Sequence, residues 1–165
     1  MKTLAIRNFK DMLIYFGADH RGFNLKAILK DMLTDLGYEI YDIGNEELDP
    51  DDDYPDFAAK AGREVSLNPE GSRAVLICGS GVGMAVTAGK FPQVRPALSF
   101  STDHIFDARN HDDVNVLCLA SDFVTEDDAR NILKIFLQTP FDASEKRKRR
   151  LRKIAEVETE NHSGS

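Results

Sequence analysis

Cys78 closes an apolar run and is followed at once by Gly79, Ser80, Gly81, Val82 and Gly83. A thiol at the rim of such a loop has a chemical use. Small residues let backbone N–H groups approach an oxygen, and a helix expected to begin near Val82 adds the positive end of its dipole. That nest favours an anion, either a phosphate or a developing enolate, and the same donors stabilise a thiolate that can act as a base. The loop is not a nucleotide motif. No Gly-Lys-Ser/Thr follows it, and Met84 occupies the last glycine position of a G-x-G-x-x-G pattern. Residue type alone leaves Cys78 balanced between a functional thiol and a small residue finishing a buried strand. Cys118, inside another apolar run, reads as core.

Two further groups carry reactive side chains. Asp19 and His20 stand in "ADHRG", directly after an apolar run, and His111 stands in "ARNHDDVN". Each histidine alone is more often structural or merely exposed than functional. The "DPDDD" run lacks the glycine and the distal glutamate of a calcium loop, so it reads as solvated. No His, Cys and Asp residues share metal-ligand spacing, which predicts chemistry without a metal.

The elements that must position these groups alternate. "LIYFGAD" is a short buried strand, and Phe23, Leu25, Ile28, Leu29, Met32, Leu33 and Leu36 then recur at helical spacing up to Gly37, a C-terminal cap. "YEIYDIG", "AVLIC", "RPALSF" and "VNVLCLA" are four further strands. Helices over "DFAAKAGREVSL", "MAVTAGK", "TDHIFDARN" and "TEDDARNILKIFLQT" separate or follow them, the last with acidic residues in its first turn, as the dipole prefers. Strict alternation predicts an α/β protein: a three-layer, doubly wound, Rossmann-like sheet of about five parallel strands with helices on both faces. Residues 1–12 read as an N-terminal extension and 13–143 as the domain. Residues 144–160 form a basic C-terminal helix with Leu151, Ile154 and Val157 at helical spacing, and 161–165 a frayed tail.

In open α/β sheets ligands sit outside the carboxyl ends of the strands. Asp19, His20 and the Cys78 loop fall there. His111 precedes the fifth strand and so lies at the other end. To join the same site it must come from another subunit or a long loop.

Composition narrows the function classes. At 165 residues the chain suits one domain with its own core. A net charge of −7 argues against a nucleic-acid binder, whose surface must be basic, though not against a local site for one phosphate. Two cysteines make no disulfide framework, which fits a reducing cytoplasm. No signal-peptide pattern opens the sequence, and no apolar run reaches the length that spans a bilayer, so no membrane partner is expected.

Taken in order, "ADHRGFNLKAILKDML…LGYEIYDIG", "DYPDFAAKAGREV", "AVLICGSGVGMAVTAGKFPQVRPAL" and "ARNHDDVNVLCLAS" resemble the successive blocks of the ribose-5-phosphate isomerase B family, which includes galactose-6-phosphate isomerase subunits. The likeness runs from about Leu13 to the basic tail. Asp-His-x-Gly, Asp-Tyr-Pro-Asp and Cys-Gly-Ser-Gly-x-Gly-Met together make it specific. It implies a metal-independent aldose–ketose isomerase of a sugar phosphate, needing no cofactor and assembled as a homodimer or tetramer with shared active sites. By position, the resemblance makes Cys78 the base moving a proton between C1 and C2. It makes Gly79, Ser80, Gly81, Val82 and Gly83 the enediolate hole, and His111 the residue assisting ring opening. Asp19 and His20 match substrate-binding positions, as do Asp112, Lys146 and Arg150.

The chain also departs from the pattern. Asp112 stands where the family commonly has asparagine, and Asp122 where it often has a phosphate-binding arginine. The tail arginine pair falls on Lys146 and Arg150, with Arg147 and Arg149 offering other registers. A carboxylate beside a phosphate repels it, so three alternatives stand open. The basic tail compensates, the sugar differs from ribose 5-phosphate, or the protein works as one subunit of a mixed assembly. The alternative to an isomerase is a non-catalytic sugar-phosphate-binding or regulatory subunit of the same fold.

Overall fold

Five strands pair in parallel in the order β2-β1-β3-β5-β4. They are β1 (Leu13–Ala18), β2 (Glu39–Asp42), β3 (Ser72–Cys78), β4 (Pro96–Leu98) and β5 (Val116–Ala120). This computed structural model describes residues 11–162. The expected extension thus lies outside the described residues apart from Asp11 and Met12. All seven residues of β3 are buried, which is why "SRAVLIC" reads as nearly unbroken apolar sequence: it is the middle strand, covered on both faces.

Six helices complete the layers. They are α1 (Phe23–Asp35), α2 (Tyr54–Leu67), α3 (Val82–Ala88), α4 (Thr102–Asp112), α5 (Glu126–Gln138) and α6 (Glu145–His162). On one face Leu29 and Leu33 of α1, Ile105 of α4 and Ile132, Leu133 and Phe136 of α5 cover Ile14, Phe16, Val75, Ile77, Leu117 and Leu119. On the other, Phe57, Ala61 and Val65 of α2 and Met84 and Ala88 of α3 cover Ala74, Leu76, Cys78, Val116 and Cys118. Alternate residues of β3 enter opposite layers, as the two-residue period requires. Each large side chain so buried contributes roughly 1.5–3 kcal/mol before chain entropy is counted.

The helix ends follow local chemistry. Thr125 caps α5 by accepting the Asp128 N–H at 3.1 Å, with Glu126, Asp127 and Asp128 in the first turn. Ser101 caps α4 by accepting the His104 N–H at 3.2 Å. Helix α6 packs on α4. Its approach is fixed by the Asp142 N–H on the Asn110 carbonyl at 2.9 Å, and its far turns by the Gln93 N–H on the Glu158 carboxylate at 3.1 Å. It therefore runs along the edge where β4 and β5 begin. It continues through Asn161 and His162, the first two residues of the stretch expected to fray.

Strand order creates the crevice. Helix α1 leaves β1 toward one face and α3 leaves β3 toward the other, so the chain diverges between the carboxyl ends of these neighbours. That divergence is where open α/β sheets bind ligands.

Candidate active site

The loop after β1 is held by its own aspartate. Asp19 is buried and its Oδ1 accepts the N–H groups of Arg21 at 3.0 Å and Gly22 at 3.1 Å, while its own N–H reaches the Ile77 carbonyl of β3 at 3.2 Å. His20, between them, turns to the acidic loop before α2. Its backbone N–H and its Nδ1 both meet Oδ1 of Asp52, at 2.9 and 2.8 Å. A carboxylate only accepts, so Nδ1 carries the proton. The hydrogen bond to Asp52 raises the His20 pKa above its ordinary value. The charges of Asp19 and Asp52 add to this, and desolvation and Arg21 oppose it. Asp52 is not a solvated residue as the sequence suggested: its side chain is only 7% exposed, and Oδ2 also accepts from Asn45 Nδ2 at 3.1 Å.

The loop after β3 turns on Gly81, whose φ of 73° lies in the left-handed region that glycine adopts without strain. This turn aims the Gly81 N–H at Cys78 Sγ, 3.1 Å away. Cys78 is 4% exposed and opens on a cleft of about 600 Å³, whose wall also includes Asp19, Gly79, Ser80, Val82 and Gly83. Gly81 itself lies behind the wall, against Leu98 and Leu119. Helix α3 has only seven residues, so the loop amides rather than a long helix dipole must receive any oxyanion. Cys118 is fully buried, and burial above all, with Cys78 adding to it, pushes its thiol pKa upward and keeps it inert.

The third wall is the turn after β5. Ser121 Oγ donates to the Cys78 carbonyl at 3.1 Å or the Arg21 carbonyl at 3.0 Å, and the Asp122 N–H donates to the Gly79 carbonyl at 3.1 Å. Asp122, the carboxylate in place of the family's arginine, is paired within the chain: Arg21 Nη2 bonds its Oδ2. Arg21 fills the unspecified position of the Asp-His-x-Gly motif, and sequence reasoning assigned it no role. Its placement after a strand's carboxyl end was the available signal. Tyr54, in the quoted Asp-Tyr-Pro-Asp block, also lines the cleft.

The remaining expected residues lie elsewhere in the chain. His111 sits in the last turn of α4, with Nε2 3.9 Å from Asp107, and the exposed Asp112 ends that helix. Cys78 pairs in register with Ala120, the last residue of β5, whereas α4 leads into Val116, the first. Four strand steps separate those levels, about 13 Å. Lys146 and Arg150 are exposed on α6, along the same amino edge as His111. Among the described residues no group of His, Cys, Asp or Glu is placed to hold a metal ion.

A buried thiol facing a glycine turn, on a cleft at the divergence point of a five-stranded parallel sheet, defines a doubly wound α/β protein. The family model for ribose/galactose isomerases matches residues 14–154, and the chain belongs to that family. It is 38% identical over 147 residues to a probable ribose-5-phosphate isomerase B of Mycoplasma genitalium, covering 89% of this chain and 96% of that one. Ribose-5-phosphate isomerase B of Mycobacterium tuberculosis is 34% identical over 147 residues, 89% of this chain and 90% of its own. Among solved structures, the M. genitalium enzyme with bound ribulose-5-phosphate superposes with a TM-score of 0.87, covering 90% of this chain and 97% of that one. Ribose-5-phosphate isomerase B of Clostridium thermocellum gives 0.85 at 34% identity, covering 91% and 99%.

Proposed function

We propose that this protein interconverts ribose 5-phosphate and ribulose 5-phosphate, an aldose–ketose isomerisation, with Cys78 as the base. The observation that carries the reading is the Cys78 thiol at the cleft wall, receiving the Gly81 N–H beside further loop residues. The thiolate removes the C2 proton of the open-chain aldose, and the electron pair moves onto the carbonyl oxygen at C1. Backbone donors of the Gly79–Gly83 loop receive that oxyanion, and Ser80 borders it. The thiol returns its proton to C1 while the C2 hydroxyl proton passes to the oxygen at C1, leaving the ketone at C2. Solvent-exchangeable protons complete the balance, and neither metal nor cofactor enters.

Two copies of the chain complete each site in this proposal. His111, Asp112, Lys146 and Arg150 of one copy meet the cleft of the other, His111 assisting ring opening and the basic residues facing the phosphate. The reading is supported by the apolar residues left bare around both regions: Val82, Val86 and Phe123 at the cleft, Phe106 on α4, and Ile154 and Val157 on α6 are all more than 40% exposed. No helix among the described residues is long and apolar enough to cross a membrane, and a reducing cytoplasm suits a thiol base.

The test follows ribose 5-phosphate by NMR in D₂O. Ribulose 5-phosphate should form and acquire solvent deuterium at C1, the mark of proton transfer rather than hydride shift. Cys78→Ala should lower kcat at least about 100-fold with the melting curve nearly unchanged. Turnover within tenfold of wild type in that variant would place the base elsewhere.

A further inference from the structure

Within one subunit the cleft wall holds three charged side chains, Asp19, Arg21 and Asp122. Asp19 is committed to the N–H groups of its own loop. Arg21 is therefore the single cation that the described residues of one chain bring to the cleft. Its main chain is held on both sides, the N–H on Asp19 Oδ1 and the carbonyl 3.0 Å from Ser121 Oγ, whose one proton it shares as an acceptor with the Cys78 carbonyl. Its side chain is nevertheless 56% exposed. The guanidinium lies over Gly79: a Cβ built on that glycine would come within 2.7 Å of Arg21 Cζ, so a side chain there would displace the guanidinium from this position. Among the described residues Asp122 is its sole side-chain hydrogen-bonding partner and engages one of the five N–H donors of the fork.

We propose that Arg21 is the residue by which each subunit's own cleft binds the phosphate of its substrate, and that Asp122 is the intramolecular anion that holds the guanidinium in place when the cleft is empty. This rests on the sugar-phosphate reading above and names the group that receives the charged end. Open donors of the fork suit a phosphate bidentately. Asp122 then has two opposed effects: it orients the fork, and it repels the dianion that the fork must bind. Replacing its charge while keeping its shape should therefore tighten phosphate binding rather than weaken it.

A two-residue cycle decides the matter, because Arg21→Ala alone would weaken binding even if Arg21 did no more than neutralise Asp122. Binding of inorganic phosphate and of ribose 5-phosphate is measured by calorimetry, and KM and kcat for ribose 5-phosphate by NMR, in four proteins. Arg21→Ala should raise KM and both dissociation constants about 10- to 100-fold, the loss of a charged hydrogen-bonding pair, with kcat within about threefold. Asp122→Asn should lower them several-fold. The double variant Arg21→Ala/Asp122→Asn should remain at least tenfold weaker than Asp122→Asn alone. Arg21→Lys should recover part of the loss, since an ammonium supplies charge without the fork. If the double variant binds phosphate like wild type, Arg21 is a counter-ion only and the proposal is overturned. Wild-type protein that binds phosphate through Arg21 yet turns over no sugar phosphate would instead refute the isomerase reading and leave the anion site standing. Wild-type protein that binds no phosphate at all refutes the site.

Discussion

The two edges of the sheet use charge in opposite ways. At the amino edge Asp113, in a left-handed conformation at φ 48°, accepts from Arg109 and from Arg95, each at 2.9 Å, while its carbonyl takes Arg95 Nε at 2.9 Å. Asn115, fully buried, accepts the Arg95 N–H and donates to the Gln93 carbonyl, both at 2.8 Å. Burial pushes the Arg109 pKa down, against the pull of Asp113, and the guanidinium rests over the Phe136 ring. Arg109 Nε is the single buried side-chain polar atom without a partner among the described residues. At the carboxyl edge the Arg21–Asp122 pair is half-exposed on a cleft, and only one edge of the guanidinium is engaged. Charges at the first edge answer one another and fix the end of α4, from which His111 projects. Charges at the second are left for a ligand. The lesson is that polarity alone does not mark a site; incomplete internal pairing beside a cavity does.

The largest effect expected from this contrast comes from joining the two edges across subunits. Cys78→Ala and His111→Ala each remove one edge's contribution and should each be nearly inactive. Mixed and allowed to exchange, half the dimers would be hybrids, each carrying one intact site, so about a quarter of wild-type activity should return. Exchange is followed by native mass spectrometry. Demonstrated hybrids with no regained turnover would confine the site to one edge.

A smaller effect separates the edges by stability. Asp113→Asn keeps the side-chain shape and tolerates the left-handed backbone, but leaves the Arg109 guanidinium buried without its counter-ion. Because Asp113 is itself 27% exposed, the full cost of breaking a buried pair is reduced, to about 2–3 kcal/mol. Thermal unfolding should show a fall in Tm of roughly 5–10 °C. Asp122→Asn, the same chemical change at the other edge, should stay within about 0.5 kcal/mol of wild type in the same assay. Equal shifts in the two variants would mean that the Arg21–Asp122 pair is as structural as the clamp.

Much of this was legible beforehand, for identifiable reasons. The apolar run from Ala74 to Cys78 and the spacing from Phe23 to Leu36 specify a strand and a helix by period alone, and the Cys78 loop declares its chemistry within six consecutive residues. The place of β5 between β3 and β4 was not legible, because strand order is decided by crossovers that leave no local pattern. The Arg21–Asp122 pair spans 101 positions: Asp122 stands out as a departure from the family pattern, but nothing points to Arg21 as its partner until both loops meet at one edge. "DPDDD" reads as solvated because charge runs usually are, and "ARNHDD" draws attention to His111 and Asp112 rather than to Asp113. In each, one aspartate, Asp113 and Asp52, is turned inward by partners far along the chain.

The smallest effect tests whether Asp52 belongs with the amino-edge clamps or with the open cleft. Its nearly buried carboxylate orients His20 as Asp113 orients Arg95, yet His20 itself is 35% exposed. The folded-state pKa of His20 is raised, so the charged pair contributes stability fully below the unfolded-state value near 6.5 and loses it as pH rises through the folded value. Asp52→Asn should move the His20 midpoint, read from its imidazole proton resonances, back toward the ordinary value. The stability difference between variant and wild type should be widest at acid pH and shrink on the alkaline side. An unshifted midpoint would mean that the imidazole does not rest on Asp52 in solution. His20 would then be free to face the cleft, and the carboxyl edge would hold a second group whose charge awaits a ligand.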